Sequence, residues 1–215
     1  MPASPPSRVV VIGAGGHAKV VIELLRADGY EVAALVDADA APRRVLGAPV
    51  VGDDSALAGL RAEGLTHAFV AIGDNRTRLR LAGVARAAGF ALVNAISPAA
   101  TVSPSASLGV GVAVMAGAVI NAEAVIGDLA IVNTGATIDH DVRLGEAAHI
   151  GPGASLAGGV QVGAGAMLGV GASAIPGVRI GDQTVIGAGA CVVRDLPGDV
   201  IATGVPATIA RMRAS

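Results

Sequence analysis

A histidine stands between two carboxylates in the triplet Asp139-His140-Asp141. A carboxylate that orients an imidazole ring makes the histidine an effective general base, so this triplet is a candidate catalytic centre. Asp141 is the expected orienting group, and Asp139 is the alternative. The residues alone leave a second interpretation open, in which His140 is a polar surface residue of a turn.

A second candidate site is the glycine-rich turn in VVVIGAGGHAKVV. The spacing Gly13-x-Gly15-x-x-Ala18 follows an apolar run and precedes a helical pattern, as in the dinucleotide-binding fingerprint, and Asp37 lies near the place of the ribose-binding acid. Because exposed N–H groups at a helix N-terminus favour any anion, the turn also suits another diphosphate. The turn could therefore bind NAD, bind a different nucleotide or have a purely structural role.

Composition argues against nucleic-acid-binding and membrane proteins. The chain has 215 residues, a net charge of −2, 31 glycines, no Trp, one Tyr and two Phe. Near-neutral charge argues against a nucleic-acid or anionic-membrane surface. The longest apolar stretch, residues 108–120, is too short to span a membrane, and residues 1–7 look like a loose tail without the apolar core of a signal peptide. We therefore expect a cytoplasmic protein.

Metal binding is not expected. The single cysteine, Cys191, excludes a disulfide framework and a cysteine-based metal site. The C-terminal half holds only His140 and His149, which are nine residues apart, whereas a catalytic zinc needs at least three protein ligands.

The chain divides into two halves with different sequence patterns. From residue 8 to 95, strand-like apolar runs alternate with helical patterns, which predicts a parallel sheet in a small Rossmann-like α/β domain. Ligands of such sheets collect at the carboxyl ends of the strands, where Asp37 and the Gly73–Asn75 segment lie. Arg78 is either a phosphate or base partner or a solvated helix charge.

A strict six-residue period replaces this pattern over residues 96–195. Every sixth position from Ile96 to Val192 is aliphatic, with Ala174 as the smallest, and the residue two places earlier is Ala, Val or Thr from position 100 onwards. This period fits a parallel β-helix of hexapeptide repeats, in which one branched and one small side chain per repeat fill the interior. Residues 196–215 form a non-repeating C-terminal tail.

The segments GAGGHAKVV, AIGDNRTR and NTGATIDHDVRLGEAAHIGPGA resemble the hexapeptide-repeat sugar O- and N-acetyltransferases related to the sialic-acid O-acetyltransferase and the bacillosamine-pathway N-acetyltransferase. The resemblance runs from Arg8 to about Met212. It implies a left-handed β-helix with three hexapeptides per coil, acetyl-CoA as co-substrate, and a nucleotide-linked 4-amino deoxysugar, with GDP-perosamine expected, as acceptor for surface-polysaccharide synthesis.

The resemblance also implies roles for individual residues. His140 is the expected general base with Asp141 behind it. Gly158, one 18-residue coil further on, is expected to stack beside His140 and to offer an oxyanion-binding N–H. Acetyl-CoA is expected to contact His149, Gly158 and Arg194, with the tail nearby. The expected substrate-binding residues are Gly13, Gly15, Gly16, His17, Asp37, Gly73, Asp74, Asn75, Arg78 and Asn133.

The resemblance further implies a homotrimer, and apolar outward positions such as Val110, Met115, Val119 and Val125 support one because they are costly to leave in water. Transfer to a hydroxyl, use of a UDP-linked amino sugar, an NAD-dependent oxidoreductase and a non-catalytic scaffold remain alternatives. An O- and an N-acetyltransferase both need a base and the same groove, so the sequence does not separate them.

Overall fold

The structure is a computed structural model that describes residues 7–213. The tail predicted at residues 1–7 lies outside the described residues, except for Ser7. The chain forms two compact units, residues 1–96 and residues 97–215. In the described part, no helix is both long and apolar enough to cross a membrane.

From residue 7 to 96, the first unit contains a sheet, three helices and a 3-10 turn at Asp54–Ala56. The helices are α1 (Gly16–Ala27), α2 (Leu57–Ala62) and α3 (Asn75–Ala87). The strands are β1 (Arg8–Ile12), β2 (Glu31–Val36), β3 (Arg43–Val45), β4 (Ala48–Val50), β5 (His67–Val70), β6 (Ala91–Leu92) and β7 (Ala95–Ile96). The six-stranded sheet runs β3-β4-β2-β1-β5-β6. Its central pairs are parallel, which confirms the predicted α/β arrangement.

Helix α1 packs on the sheet through residues three and four apart. Ala18, Val21, Ile22 and Leu25 are fully buried, as is the centre of β1. This spacing places all four side chains on one face of the helix. This packing therefore holds the N-terminus of the helix in place, directly after the glycine-rich turn.

The antiparallel hairpin of β3 and β4 was not predicted. Its two-residue turn, Leu46-Gly47, has positive φ at both positions, 46° and 82°. This is the geometry of the tight hairpin turn whose twist matches the flanking strands. Because leucine is an unusual residue at the first position of such a turn, the sequence signal is weak.

The second unit is the predicted left-handed parallel β-helix. One face contains β10, β13, β16, β19 and β22, the second β8, β11, β14, β17, β20 and β23, and the third β9, β12, β15, β18 and β21. These two-residue strands are β8 (Thr101–Val102), β9 (Ser107–Leu108), β10 (Ala113–Val114), β11 (Val119–Ile120), β12 (Val125–Ile126), β13 (Ile131–Val132), β14 (Thr137–Ile138), β15 (Arg143–Leu144), β16 (His149–Ile150), β17 (Ser155–Leu156), β18 (Gln161–Val162), β19 (Met167–Leu168), β20 (Ser173–Ala174), β21 (Arg179–Ile180), β22 (Val185–Ile186) and β23 (Cys191–Val192).

The register confirms that three hexapeptides make one coil. Ile120 pairs with Ile138, and Ile138 pairs with Leu156, so each residue lies against the one 18 positions later. From Val114 to Val192 the sixth-position side chains are buried, as are the small residues two places earlier. Met115, expected on the outside, is instead only 1% exposed, so that expectation is wrong.

The C-terminal tail closes the first face with two more strands, β24 (Val200–Thr203) and β25 (Thr208–Met212). Strand β24 pairs in parallel with β22, and β25 turns back antiparallel along β24. Arg213 then donates to the backbone carbonyl of Gln183. The described part of the tail is therefore a continuation of the β-helix sheet.

Candidate functional site

The loop after β14 carries the histidine–carboxylate pair. His140 is well exposed, and its Nδ1 lies 2.8 Å from Asp141 Oδ2. Because an ionised carboxylate only accepts hydrogen bonds, Nδ1–H is the donor, and the lone pair of a neutral ring is then on Nε2. Asp141 has φ of 61°, a left-handed conformation that glycine adopts at many equivalent corners of the helix. The strained backbone position is thus occupied by the residue that holds the ring.

Asp139, the alternative partner, has other contacts. Its Oδ1 accepts the backbone N–H of His140 at 2.8 Å and the amide of Asn121 at 3.1 Å. These hydrogen bonds hold the pKa of Asp139 below its usual value, first through the His140 N–H and then through Asn121. Asp139 therefore fixes the backbone of the loop, and Asp141 orients the ring.

The two carboxylates also set the protonation of His140. The hydrogen bond to Asp141 is the main cause of a raised His140 pKa, and the charge of Asp139 adds to it. Both carboxylates favour the imidazolium form, while partial desolvation opposes it. His140 therefore binds a proton more tightly than an isolated histidine does.

Gly158 stacks directly on the His140 ring, as the 18-residue coil predicts. A Cβ atom at Gly158 would lie 2.5 Å from His140 Cε1 and 2.6 Å from Nε2, so no larger residue fits there without moving the ring. The neighbouring Gly159 N–H donates to the His140 carbonyl at 2.9 Å. Within residues 7–213, the Gly158 N–H has no protein acceptor, so a donor lies free beside the histidine.

His140 and Gly158 lie one above the other at a corner of the β-helix, and the same corner continues in the following coils. Pro176 and Arg194 follow Gly158 in steps of 18, and Ile175 and Val193 lie beside them. Ile175 and Val193 are partly exposed, and Arg194 is exposed. At about 4.8 Å per coil, Arg194 lies about 14 Å from His140 along the axis. The corner thus offers an apolar stripe with a cation at its far end.

His149 does not occupy the exposed position expected of it. It is 8% exposed, and its Nε2 lies 3.1 Å from Asn133 Nδ2. An amide N–H is always the donor, so His149 Nε2 accepts the hydrogen bond. The structure therefore brings together two residues for which the sequence predicted separate ligands, one for acetyl-CoA and one for the sugar.

In the first unit, Asp37 is tied to the glycine-rich turn. Its Oδ2 accepts the Ala14 N–H at 2.6 Å, and its Oδ1 accepts the Asp39 N–H and pairs with Arg43. Gly13 has φ of 105°, and a Cβ there would lie 2.9 Å from the Ala71 carbonyl oxygen. Both residues thus shape the turn, whatever else they contact.

The next two glycines are open. A Cβ at Gly15 or Gly16 would meet no atom within 4 Å. Gly15 is the N-cap of α1 and provides no side-chain cap, so the first N–H groups of the helix lack a side-chain acceptor from the cap residue. Such an N-terminus suits an anion.

Arg78 is not a solvated helix charge. It is 1% exposed and donates to the carbonyl oxygens of Ile72 and Gly73 at 2.9 and 3.0 Å, and to Asn75 Oδ1 at 2.8 Å. Burial lowers its pKa to about 10. In this position Arg78 braces the loop at the end of β5. Direct contact with a substrate stays a prediction.

Three more predicted substrate-binding residues of the first unit are Asp74, Asn75 and His17. Asp74 caps α3 by accepting the Thr77 N–H at 2.8 Å, and Asn75 is buried. His17, at the start of α1, has a buried Nε2 without a hydrogen-bond partner among the described residues. Burial, followed by the charge of Arg78, lowers the pKa of His17 to about 4, so its ring is neutral.

Beside the turn lies a cavity of about 360 Å³, lined by Ile12, Gly13, Val36, Asp37, Ala38, Asp53, Asp54, Ile72, Thr77, Arg80 and Leu81. It sits at the carboxyl ends of β1, β2 and β5, where open sheets bind ligands. Of these residues, only Gly13 and Asp37 were predicted from the sequence to bind a ligand. In the described part of the chain, no group of three His, Cys, Asp or Glu side chains is placed to hold a metal ion.

Comparison with known proteins gives two kinds of match. The family model of the PglD N-terminal domain matches residues 8–84. No curated protein sequence matches the chain. Among solved structures, a variant of the perosamine N-acetyltransferase from Caulobacter crescentus, in complex with CoA and GDP-perosamine, is 66% identical over 94% of this chain and 95% of that one, with a TM-score of 0.92.

Two further structures share the architecture. The acetyltransferase domain of PglB from Neisseria gonorrhoeae, in complex with acetyl coenzyme A, is 41% identical over 95% of this chain and 99% of that one, with a TM-score of 0.88. WeeI from Acinetobacter baumannii is 22% identical over 94% of this chain and 98% of that one, with a TM-score of 0.83, which shows a common fold.

Proposed function

Because the chain belongs to the hexapeptide-repeat sugar N-acetyltransferases, we propose that it transfers the acetyl group of acetyl-CoA to the 4-amino group of GDP-perosamine. One observation carries this proposal, namely 66% identity over 94% of the chain to a perosamine N-acetyltransferase that holds CoA and GDP-perosamine. The PglB domain, which holds acetyl coenzyme A, supports the acetyl donor. We place the reaction in the cytoplasm, in surface-polysaccharide synthesis, on the family resemblance alone.

The test is CoA release from acetyl-CoA in the presence of single acceptors. We expect rapid release with GDP-perosamine and at least about tenfold lower kcat/KM with a UDP-linked 4-amino sugar. Release with the UDP-linked sugar alone would keep the chemistry and correct the nucleotide. No release with any amino or hydroxyl sugar nucleotide would leave a non-catalytic protein.

We assign proton transfer to His140. The neutral amine attacks the thioester carbonyl carbon, a C–N bond forms, and His140 Nε2 takes the proton that the nitrogen loses. Asp141, 2.8 Å from Nδ1, stabilises the imidazolium that results. When the C–S bond breaks, the departing thiolate of CoA takes up a proton, which the imidazolium can supply. The protein then holds the amide product and free CoA.

We assign the developing oxyanion to the free Gly158 N–H, which lies beside the ring. A donor that is already in place stabilises the charge without reorganisation. The corner stripe of Ile175, Pro176 and Val193 suits the methylene and dimethyl groups of the pantetheine arm, and Arg194 suits a CoA phosphate. The proposal therefore places the thioester at Gly158 and the arm toward the C-terminal coils.

We assign recognition of the nucleotide to the first unit. The uncapped start of α1 at Gly15 and Gly16 suits the diphosphate, and the adjoining cavity suits the nucleoside. A full NAD site requires a second mononucleotide half, whereas this unit provides one such half. The contacts of His17, Asp37 and Asn133 with the substrate are part of this proposal.

Gly15→Val tests the diphosphate site. The new side chain has open space and an ordinary backbone conformation, so the fold should persist, but it covers the N–H groups that phosphate must approach. We expect KM for the sugar nucleotide to rise roughly 10- to 100-fold, the cost of hydrogen bonds to a charged group, with KM for acetyl-CoA unchanged. Gly59→Val, in α2 with equally open space, is the control. A change confined to the acetyl-CoA constant would reverse the assignment of ligands to units.

The rate should depend on pH through His140. Only the neutral ring accepts a proton, and its pKa is raised above 6.5, so kcat/KM should fall as pH drops through a value higher than 6.5. Asp141→Asn removes the main cause of the raised pKa, so the acid limb should shift to lower pH while the high-pH rate decreases. An acid limb that is identical in wild type and variant would show that another group titrates.

We also propose a homotrimer. Val110, Met167 and Val170 are apolar and exposed on the β-helix of one chain, and each is costly to leave in water. We expect sedimentation at micromolar concentration to give three chains per particle. A monomer that is fully active at that concentration would contradict the trimer.

A further inference from the structure

The cavity of the first unit, about 360 Å³ in volume, combines aliphatic and charged lining residues, as a pocket for a nucleobase requires. Its lining includes the aliphatic side chains of Ile12, Val36 and Ile72, of which Ile12 and Val36 are buried, and the more exposed polar side chains of Asp54 and Arg80, which we call its rim. A planar heterocycle buries its faces against aliphatic groups and leaves its edge to the polar rim. The chemistry of the rim therefore decides which base is bound.

Three carboxylates line this cavity, and two have partners of their own. Asp37 accepts the N–H groups of Ala14 and Asp39, and Asp53 accepts the N–H and hydroxyl of Ser55. These two side chains hold the turns that carry them.

Asp54 differs from both. Among residues 7–213, its side chain is near one cationic group, with Arg80 Nη1 at 3.8 Å from Asp54 Oδ2, which is beyond hydrogen-bond distance. Both side chains line the cavity, and both are partly open to solvent. The rim thus presents a pair of acceptor oxygens next to a set of N–H donors, and neither is saturated by the other.

We infer that Asp54 and Arg80 read the edge of the base and select guanine, an inference that rests on the proposed function. Guanine offers two adjacent donors, N1–H and N2–H, with the acceptor O6 beside them. The Asp54 carboxylate accepts both N–H groups, and the Arg80 guanidinium donates to O6. Asp54 and Arg80 lie side by side, 3.8 Å apart, as the adjacent donors and acceptor of guanine require.

Other bases fail at one of these contacts. Uracil has one N–H between two carbonyl oxygens, so one Asp54 oxygen would face a uracil oxygen. Adenine carries a donor in the place of O6 and an acceptor in the place of N1–H, so both contacts become repulsive. Hypoxanthine lacks only the 2-amino group, and xanthine has an oxygen in its place.

Calorimetric titration of the full chain with GDP, IDP, UDP and XDP tests this. We expect wild type to bind GDP about 10- to 100-fold more tightly than IDP, the effect of a lost bidentate contact, and UDP more weakly still. Equal affinity for GDP and IDP would overturn the inference, whatever the variants do.

Asp54→Asn should change the preference between GDP and XDP, which loss of a merely structural residue would not do. The introduced amide donates to xanthine O2, so the variant should lose at least about tenfold in GDP affinity and gain at least about tenfold for XDP. Glu23→Gln, a charge loss on the exposed side of α1, should change neither. An unchanged ratio of GDP to XDP affinity in the Asp54 variant would contradict the assignment.

The two proposals fail differently. If GDP-perosamine is acetylated but GDP and UDP bind equally, the guanine inference is wrong and the proposed function stands. If neither nucleotide binds and no sugar nucleotide is acetylated, both are wrong. If Asp54→Asn does not fold, Asp54→Ser replaces it, and the comparison of GDP with IDP in wild type remains decisive.

Discussion

His140→Asn should lower kcat for GDP-perosamine by about 10²–10⁴, which is roughly 3–5 kcal/mol of transition-state stabilisation. Asparagine keeps some hydrogen-bonding capacity but has no nitrogen that can accept the proton of the amine. The loss should appear in kcat with KM for both substrates nearly unchanged, because the missing interaction forms only in the transition state. Steady-state kinetics with saturating sugar nucleotide measure it.

The fold should not change in this variant. His140 is exposed and lies outside the buried sixth-position series, so the melting temperature and the oligomeric state should match the wild type. His67→Asn, at the start of β5, is the matched control and should retain full activity. A His140 variant that keeps more than about a tenth of the wild-type kcat would show that another group or water takes the proton.

Gly158→Ala should lower kcat by about 10², although it adds a single methyl group. That methyl would lie 2.5 Å from His140 Cε1, so the ring must move by about an ångström to restore normal contact. A misplacement of that size in a reacting group costs about two orders of magnitude. The φ angle at Gly158 is not in the left-handed region, so alanine causes no backbone strain.

The double variant shows whether this loss acts through the histidine. If Gly158→Ala works by displacing His140, it should have little further effect in the His140→Asn background, because the group that it displaces is already inactive. Two losses that multiply would mean that the methyl disturbs acetyl-CoA or the oxyanion donor independently of the ring.

The repeat made the β-helix predictable. The strict period of six in the inward residues predicted the hexapeptide repeat, and the family resemblance implied three hexapeptides per coil. Together they placed Gly158 beside His140, as the structure shows. Each contact in this unit repeats the one before it, so one local rule determines many distant contacts. A carboxylate partner for His140 was also predictable, because Asp139 and Asp141 both adjoin it in the chain, but only the structure shows that Asp141 is the one that contacts the ring.

Burial in the first unit was not predictable in the same way. Arg78 looks like a surface residue of an amphipathic helix, yet it is buried because the carbonyl groups of the preceding loop turn toward it. Asp37 has the sequence position of a ribose ligand, but its carboxylate binds the turn that is 23 residues earlier. The contacts of both side chains depend on how distant segments of the chain pack, which a local sequence pattern does not predict.

The cavity shows the same limit. Asp54 and Arg80 come from a 3-10 turn and from α3, which have no shared motif. The order of strands along the sequence indicates which edge of the sheet binds ligands. Only the folded chain shows which residues of the cavity lack saturating partners.

Identification of the acetylated atom distinguishes N-acetylation of the sugar from every alternative. Wild-type protein should be incubated with acetyl-CoA and an equal mixture of GDP-perosamine and its analogue with a hydroxyl at C4, and the products should be examined by mass spectrometry and NMR. We expect one acetyl group on GDP-perosamine, in an amide at N4, and no ester on the analogue. An ester on a sugar hydroxyl, or an unmodified mixture with intact acetyl-CoA, would contradict it.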